Sequence, residues 1–248
     1  MGNPITHVPA SSLSSLSTRI SYLRSFISFS ASDASVLHSS ASVVAPLIPV
    51  IVDTVYEKLL SFDITAQSFV PRQTGYSGEA PTSLDELTPE HPQIRFRKDF
   101  LAGYLRKLVT MDYDKIESWE YLDKVGVMHT GRAGFAHRAK KPALRVELVH
   151  CALLLGYVED ILVGAVMGHP DLDNDTKTVL LRAVNKLLWI QNDLFARHYV
   201  ADADAAEEAE AKKIMGRDRV ALAAVAIGLV AAGAGLMHVL GPAVLWQT

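Results

Sequence analysis

The chain has 248 residues, 49% of them hydrophobic, with 24 Lys and Arg against 27 Asp and Glu and a formal net charge of -3 at pH 7. That length suits one domain with appendages, and the pI near 6.3, with cations scattered among acids, excludes a basic face for nucleic acid. The single cysteine, Cys151, excludes an intramolecular disulfide and a cysteine-built zinc site, and with no apolar leader at the N-terminus it points to a reducing compartment.

Residues 1–15 read as a flexible N-terminus, and Met1-Gly2-Asn3-Pro4-Ile5-Thr6 matches the loose pattern for myristoylation of Gly2. Residues 10–42 are Ser-rich and acid-poor, as transit peptides are. However, Leu16, Ile20, Leu23 and Phe26 recur at helical spacing, which predicts an amphipathic helix. A second helix is expected from about Val43 to Ser61, where Val44, Leu47, Ile48, Ile51, Val52, Val55, Tyr56 and Leu59 recur at three and four residues. Pro46 and Pro49 fit its first turn, where a missing N–H breaks little. Residues 70–92 hold Pro, Gly, Ser and Thr and read as a long irregular connection, a type often functional.

Helices are then expected from about Gln93 to Thr110 and from about Ile116 to Met128, the latter closed by Thr130-Gly131. Gly131 and Gly134 punctuate a basic stretch with Arg132, His137, Arg138, Lys140 and Lys141. A long helix follows from about Pro142 to Met167, with an expected inward stripe of Val146, Val149, Leu153, Tyr157, Ile161 and Leu162. The last helix of the domain starts behind Asp173 or Asn174, either a good N-cap, and runs to about Tyr199 through Val179, Leu180, Ala183, Leu187, Ile190 and Leu194. Strand signals are scarce and no repeat is visible, so the fold class is all-α.

Composition changes at residue 201. Residues 201–219 form a polar charged linker, and no charged residue stands between Val220 and Trp246. About 20 such residues span a bilayer as a helix. Lys212, Lys213, Arg217 and Arg219 precede the segment and put that side in the cytosol. Residues 220–246 are therefore expected to be a single-pass tail anchor in contact with membrane lipid, with the domain of residues 16–200 facing the cytosol. Ala224, Gly228, Ala231 and Gly235 either let two such helices pack closely in a homodimer or form a merely small lipid-facing surface.

The chain has nine histidines. His7, His38, His91, His169 and His198 lie near termini, loops or helix ends, His238 lies in the span, and His150 at the edge of a helix stripe. His129 closes Tyr121-Leu122-Asp123-Lys124-Val125-Gly126-Val127-Met128-His129. It shares a face with Leu122 and Val125, and Gly126 one turn earlier would let a flat group approach. Spacing alone leaves a packed or capping histidine and an iron ligand both open.

That segment resembles the proximal motif of protoglobins and globin-coupled sensors, in which a glycine stands three residues before the histidine that binds haem iron. Val55-Tyr56-Glu57-Lys58-Leu59-Leu60 resembles their distal helix, Arg97-Lys98-Asp99-Phe100-Leu101-Ala102-Gly103-Tyr104-Leu105 the next, and Asp112-Tyr113 through His129 the proximal approach. Asn185-Lys186-Leu187-Leu188-Trp189-Ile190-Gln191-Asn192-Asp193-Leu194-Phe195-Ala196-Arg197 is similar to the last globin helix of a protoglobin-domain family of fungi. The resemblance covers roughly Tyr22 to Tyr199.

It implies a globin-like helical sandwich with an extra N-terminal helix. Haem b would lie between distal and proximal helices, with His129 on the iron and Tyr56 donating its hydroxyl to bound gas. Phe100, Leu101, Tyr104 and Val125 would line the pocket. The basic stretch after Gly131 either pairs with haem propionates or is a solvated loop. The implied function is a membrane-tethered globin that reversibly binds dioxygen, CO or NO, as a sensor. The enzyme output modules of coupled sensors are missing, and the membrane helix stands in their place. The alternatives are a nitric oxide dioxygenase or peroxidase served by a separate reductase, since no flavin or nicotinamide fingerprint is present, or a helical membrane interaction protein without haem.

Overall fold

Prolines, caps and one left-handed residue cut the chain into nine α-helices in a computed structural model that describes residues 5–134 and 145–240, with side chains in the last helix through 208 and at 210, 212 and 213. The Ser-rich stretch expected as one amphipathic helix is two, α1 (Leu16–Phe26) and α2 (Ala31–Ser39). They are separated at Ser28, whose φ of 56° no helix accommodates. The turn leaves Phe26 78% exposed and gives its core position to Phe29. Asp33 starts α2 firmly by accepting from the Ser30 backbone N–H at 2.8 Å.

The helix expected over Val43 to Ser61 is interrupted. Short α3 (Ala41–Val44) passes through one 3-10 turn at Ala45–Leu47 into α4 (Ile48–Leu60). Pro46 and Pro49 lie in the first turns of these last two segments, where a missing N–H is harmless. The expected α4 stripe is borne out, with Ile48, Ile51, Val52, Val55 and Tyr56 all buried.

After α5 (Asp63–Ala66) comes the long connection, which is tied down by α6 (Pro92–Leu108). Fully buried Gln93 donates to the carbonyls of Phe69 and Pro71 at 2.8 and 3.1 Å and accepts from the Gln73 N–H at 2.9 Å. Arg97 adds a bond to the Pro71 carbonyl at 3.1 Å. These bonds satisfy the polar groups of a segment with almost no helix of its own.

α7 (Ile116–His129) is braced at its entrance. Trp119 Nε1 donates to the Tyr113 carbonyl at 3.0 Å, Arg24 of α1 reaches the same oxygen at 3.1 Å, and Phe29 meets both rings edge-on. Among the described residues the one β-type pairing is a bridge between Thr130 and Arg145.

α8 (Leu148–Met167) corrects the expected stripe. Cys151, Val158, Leu162 and Val166 are buried, whereas Val149 is exposed and Leu153 is 68% exposed. The helix is apolar almost all round, so periodicity could not choose its inner face. By length and composition it could cross a membrane, but it packs here on α4 and bonds through Glu159 to Asn185.

α9 (Asn174–Leu240) begins under Asp173, whose carboxylate accepts from the Thr176 N–H at 2.8 Å. Leu180, Ala183, Leu187, Ile190 and Leu194 are buried as expected, while Val179 is exposed. Rather than ending near Tyr199, the helix continues through the polar stretch. By contacts the chain falls into two units, Met1–Tyr199 and Val200–Thr248. For the charge-free segment only the helical backbone to Leu240 is described. Its side chains and residues 241–246 lie outside the described residues, as do Gly2, His137, Arg138, Lys140 and Lys141.

Candidate functional site

His129 is the last residue of α7, and its ring is fixed from two directions. Nδ1 lies 2.8 Å from the Val125 carbonyl. A carbonyl only accepts, so Nδ1 carries a hydrogen, and in the neutral ring the lone pair is on Nε2. The edge of Phe195 from α9 meets the ring at 5.0 Å and 82°. The helix stops because Thr130 turns back to the Val127 carbonyl through Oγ1 at 2.8 Å and Gly131 takes φ 91°.

A small apolar cluster surrounds this end of α7. Val125, Cys151 and Phe195 are buried together, with Tyr104, Tyr121 and Val146 against them. Burial pushes the Cys151 thiol up to about 11, against a downward pull from the Tyr199 hydroxyl, so it is a packing residue. Tyr104 crosses from α6, stacking on Tyr121 at 6.5 Å, and its hydroxyl donates to Gln191 Oε1 at 3.1 Å. Lys107, one turn on, sits 3.9 Å above the Tyr121 ring.

The rest of the α6 face is open. Phe100 is 55% exposed and meets Phe96 edge-on at 5.1 Å. A side chain added at Gly103 would touch nothing within 4 Å. Leu101, on the other side of α6, packs into the main core.

Tyr56 is placed apart from the His129 cluster, buried in the main core against Phe69 at 5.6 Å. Burial pushes its hydroxyl well above the ordinary phenol value, and the charge of Arg97 offsets part of that. The phenol therefore stays protonated and remains a donor. Of the six residues singled out from sequence, the structure brings Tyr104, Val125 and His129 together and leaves Phe100 on the adjoining open face. Leu101 and Tyr56 lie behind, in the core.

Gly126 has a different role from the one expected. A Cβ there would strike the Leu194 carbonyl oxygen and stand 3.2 Å from His198 Cδ2. The glycine lets α7 lie on α9, whose backbone takes the space a flat group would need there. From sequence, His198 stood only as a histidine near a helix end, and Gln191 and Phe195 only as parts of the last-helix motif, with no role of their own. Gln191 had a legible signal, being a polar residue on the apolar stripe between Leu187 and Leu194.

Among the described residues no three His, Cys, Asp or Glu side chains converge as a metal cage. A metal at His129 would draw its other ligands from a group that brings its own, as a porphyrin does. The donor chemistry fits haem: one imidazole whose neutral form has its lone pair on Nε2, oriented by a backbone carbonyl as such ligands usually are, beside an apolar α6 face left open at Phe100 and Gly103.

The family model described as Protoglobin matches residues 16–205, more than three-quarters of the chain. No curated protein matches it.

Proposed function

The chain belongs to the protoglobin family, and on that premise we propose that it is a membrane-tethered haem protein that reversibly binds dioxygen or another diatomic gas and acts as a gas sensor. The observation that carries this reading is the orientation of His129, with Nδ1 donating to the Val125 carbonyl and Phe195 against the ring. Haem b, if bound, would be held through its iron by His129 and would supply the metal that binds the gas.

The chain's own residues then divide the work. Val125 and Phe195 hold the imidazole against rotation. Phe100 and the open surface beside Gly103 offer an apolar wall to a flat ring, and Leu101 and Tyr104 back it, Tyr104 with its hydroxyl turned away to Gln191. Tyr56, kept protonated by burial, is the assigned hydroxyl donor toward the gas. Residues 220–246 are the proposed anchor, and the charge-free run after Arg219 supports it.

An absorption spectrum of the full chain reconstituted with haem tests the site. The native protein is expected to show a Soret band that shifts with carbon monoxide, and His129→Ala is expected to lose or weaken it. Unchanged haem content and spectrum in His129→Ala would remove His129 from the site.

A further inference from the structure

The second half of α7 is joined to α9 along one stripe of that helix. Gln191, fully buried, donates from Nε2 to the Leu122 carbonyl at 3.3 Å while accepting from Tyr104. Gly126 lies against the Leu194 backbone, and Phe195 meets His129. His198 completes the spacing i, i+3, i+4, i+7 that defines one helix face. Most of these contacts are packing, but one is charged. A single oxygen of Asp123 accepts from His198 Nε2 at 2.8 Å and from Arg197 Nη1 at 3.1 Å, with all three side chains only 13 to 17% exposed.

The geometry of this group reaches past His129 on both sides. Arg132 Nη2, which can only donate, lies 3.4 Å from Nδ1 of His198, so Nδ1 accepts there while Nε2 donates to the carboxylate. Arg132 Nε in turn donates to Thr130 Oγ1 at 3.2 Å, and Thr130 follows His129 directly. The cluster thus grips the chain six residues before His129 and again just after it. The α9 side is anchored independently: Arg197 Nη2 donates to the Ser14 carbonyl at 2.7 Å, and Asp193 accepts from Nε and Nη2 of Arg19 at 2.6 and 2.7 Å. A helix held by apolar packing alone can turn about its axis. A carboxylate with two directed donors on an anchored neighbour removes that freedom.

We propose that Asp123, Arg197 and His198 form the positioning cluster of the site. They fix the rotation of α7 and so the approach of His129 Nε2 to iron, and they make α9 the element that receives any displacement of His129. This rests on the haem reading of His129.

The test uses the full chain with haem, Asp123→Asn and His198→Leu against His198→Gln, in which the amide still donates to the carboxylate. Resonance Raman of the ferrous protein reads the iron–histidine stretch. Asp123→Asn and His198→Leu are expected to keep haem and helix content but shift that stretch, and His198→Gln is expected to return it toward the native frequency. A native frequency in both Asp123→Asn and His198→Leu, with haem bound, overturns the proposal. Should Asp123→Asn fail to fold, the His198 pair decides alone. Amide hydrogen exchange across residues 120–129 in the haem-free chain reads the clamp separately. Several-fold faster exchange in His198→Leu supports it, and unchanged exchange counts against it. A native chain that takes up no haem would defeat the site assignment itself, with the exchange experiment still reporting on the clamp.

Discussion

Asp33 shows how much of this fold hangs on single polar groups. Burial pushes its carboxyl up, but Lys186 Nζ at 2.7 Å and the Ser30 N–H at 2.8 Å more than reverse that, and the group ends below the usual carboxylate range. Lys186 belongs to α9 and also donates to the Ser28 carbonyl at 2.8 Å, so one ammonium ties the turn between α1 and α2 to the last helix. A carboxyl whose folded value lies below its unfolded one, about 3.9, stabilises the fold above that value. It gives the contribution up as pH falls through the folded value. Asp33→Asn is therefore expected to unfold at lower temperature than the native chain at neutral pH, with the gap closing below about pH 4. A gap of constant size from pH 7 to pH 3, followed by circular dichroism, would deny Asp33 its role in acid sensitivity. The spacing Ser30-x-x-Asp33 carries a local capping signal, but nothing in the sequence pairs Asp33 with Lys186, 153 positions away.

Among the elements, the α7–α9 contact carries the tightest constraint. The Leu194 carbonyl occupies the space a Gly126 side chain would need, and backbone does not step aside as a flexible side chain would. Overpacking of this kind costs about 1–3 kcal/mol, and here the strain falls one turn before His129. Gly126→Ala is expected to lower stability by about 2 kcal/mol in urea unfolding, while Gly103→Ala, which meets open space, is expected to match the native chain or exceed it slightly through helix propensity. Equal stability of both variants, at or above the native chain, would show that the Leu194 contact adds nothing to helix propensity. The glycine was visible in the sequence, but its purpose was not, since a close approach to a ring and a close approach to a helix leave the same gap in a heptad. The same limit explains α8. Where α4 and α9 mix apolar and polar residues, their inner faces were legible except at Val179. α8 has apolar residues on nearly every side, and only the tertiary arrangement decided that Val158 and Val166 go inward while Leu153 does not.

Taken whole, the molecule was more legible in its architecture than in its site. Helix order followed from periodicity, prolines and caps, which act locally. The site depends on which helices meet: spacing left His129 open, and of the residues that the resemblance implied, the structure brings Tyr104, Val125 and His129 to one place while Tyr56 lies in the main core. The 27 positions of residues 220–246 carry no charge, a run that exceeds the roughly 20 residues that cross the hydrocarbon core. Many of them are Ala and Gly, which contribute little to insertion compared with about -0.3 to -0.6 kcal/mol for each Leu, Ile, Val or Phe at the centre. Leu222, Val225, Ile227, Leu229, Val230, Leu236, Val239 and Leu240 supply that larger contribution, and a charge placed among them would cost about 2.5 to 3.5 kcal/mol, comparable with what several of them give. The full chain is therefore expected to stay with the membrane pellet in alkaline carbonate. Leu229→Arg combined with Val230→Asp is expected to release it, and a chain cut after Tyr199 is expected to appear in the supernatant. Release of the unaltered chain by carbonate would refute the spanning helix without touching the assignment of His129.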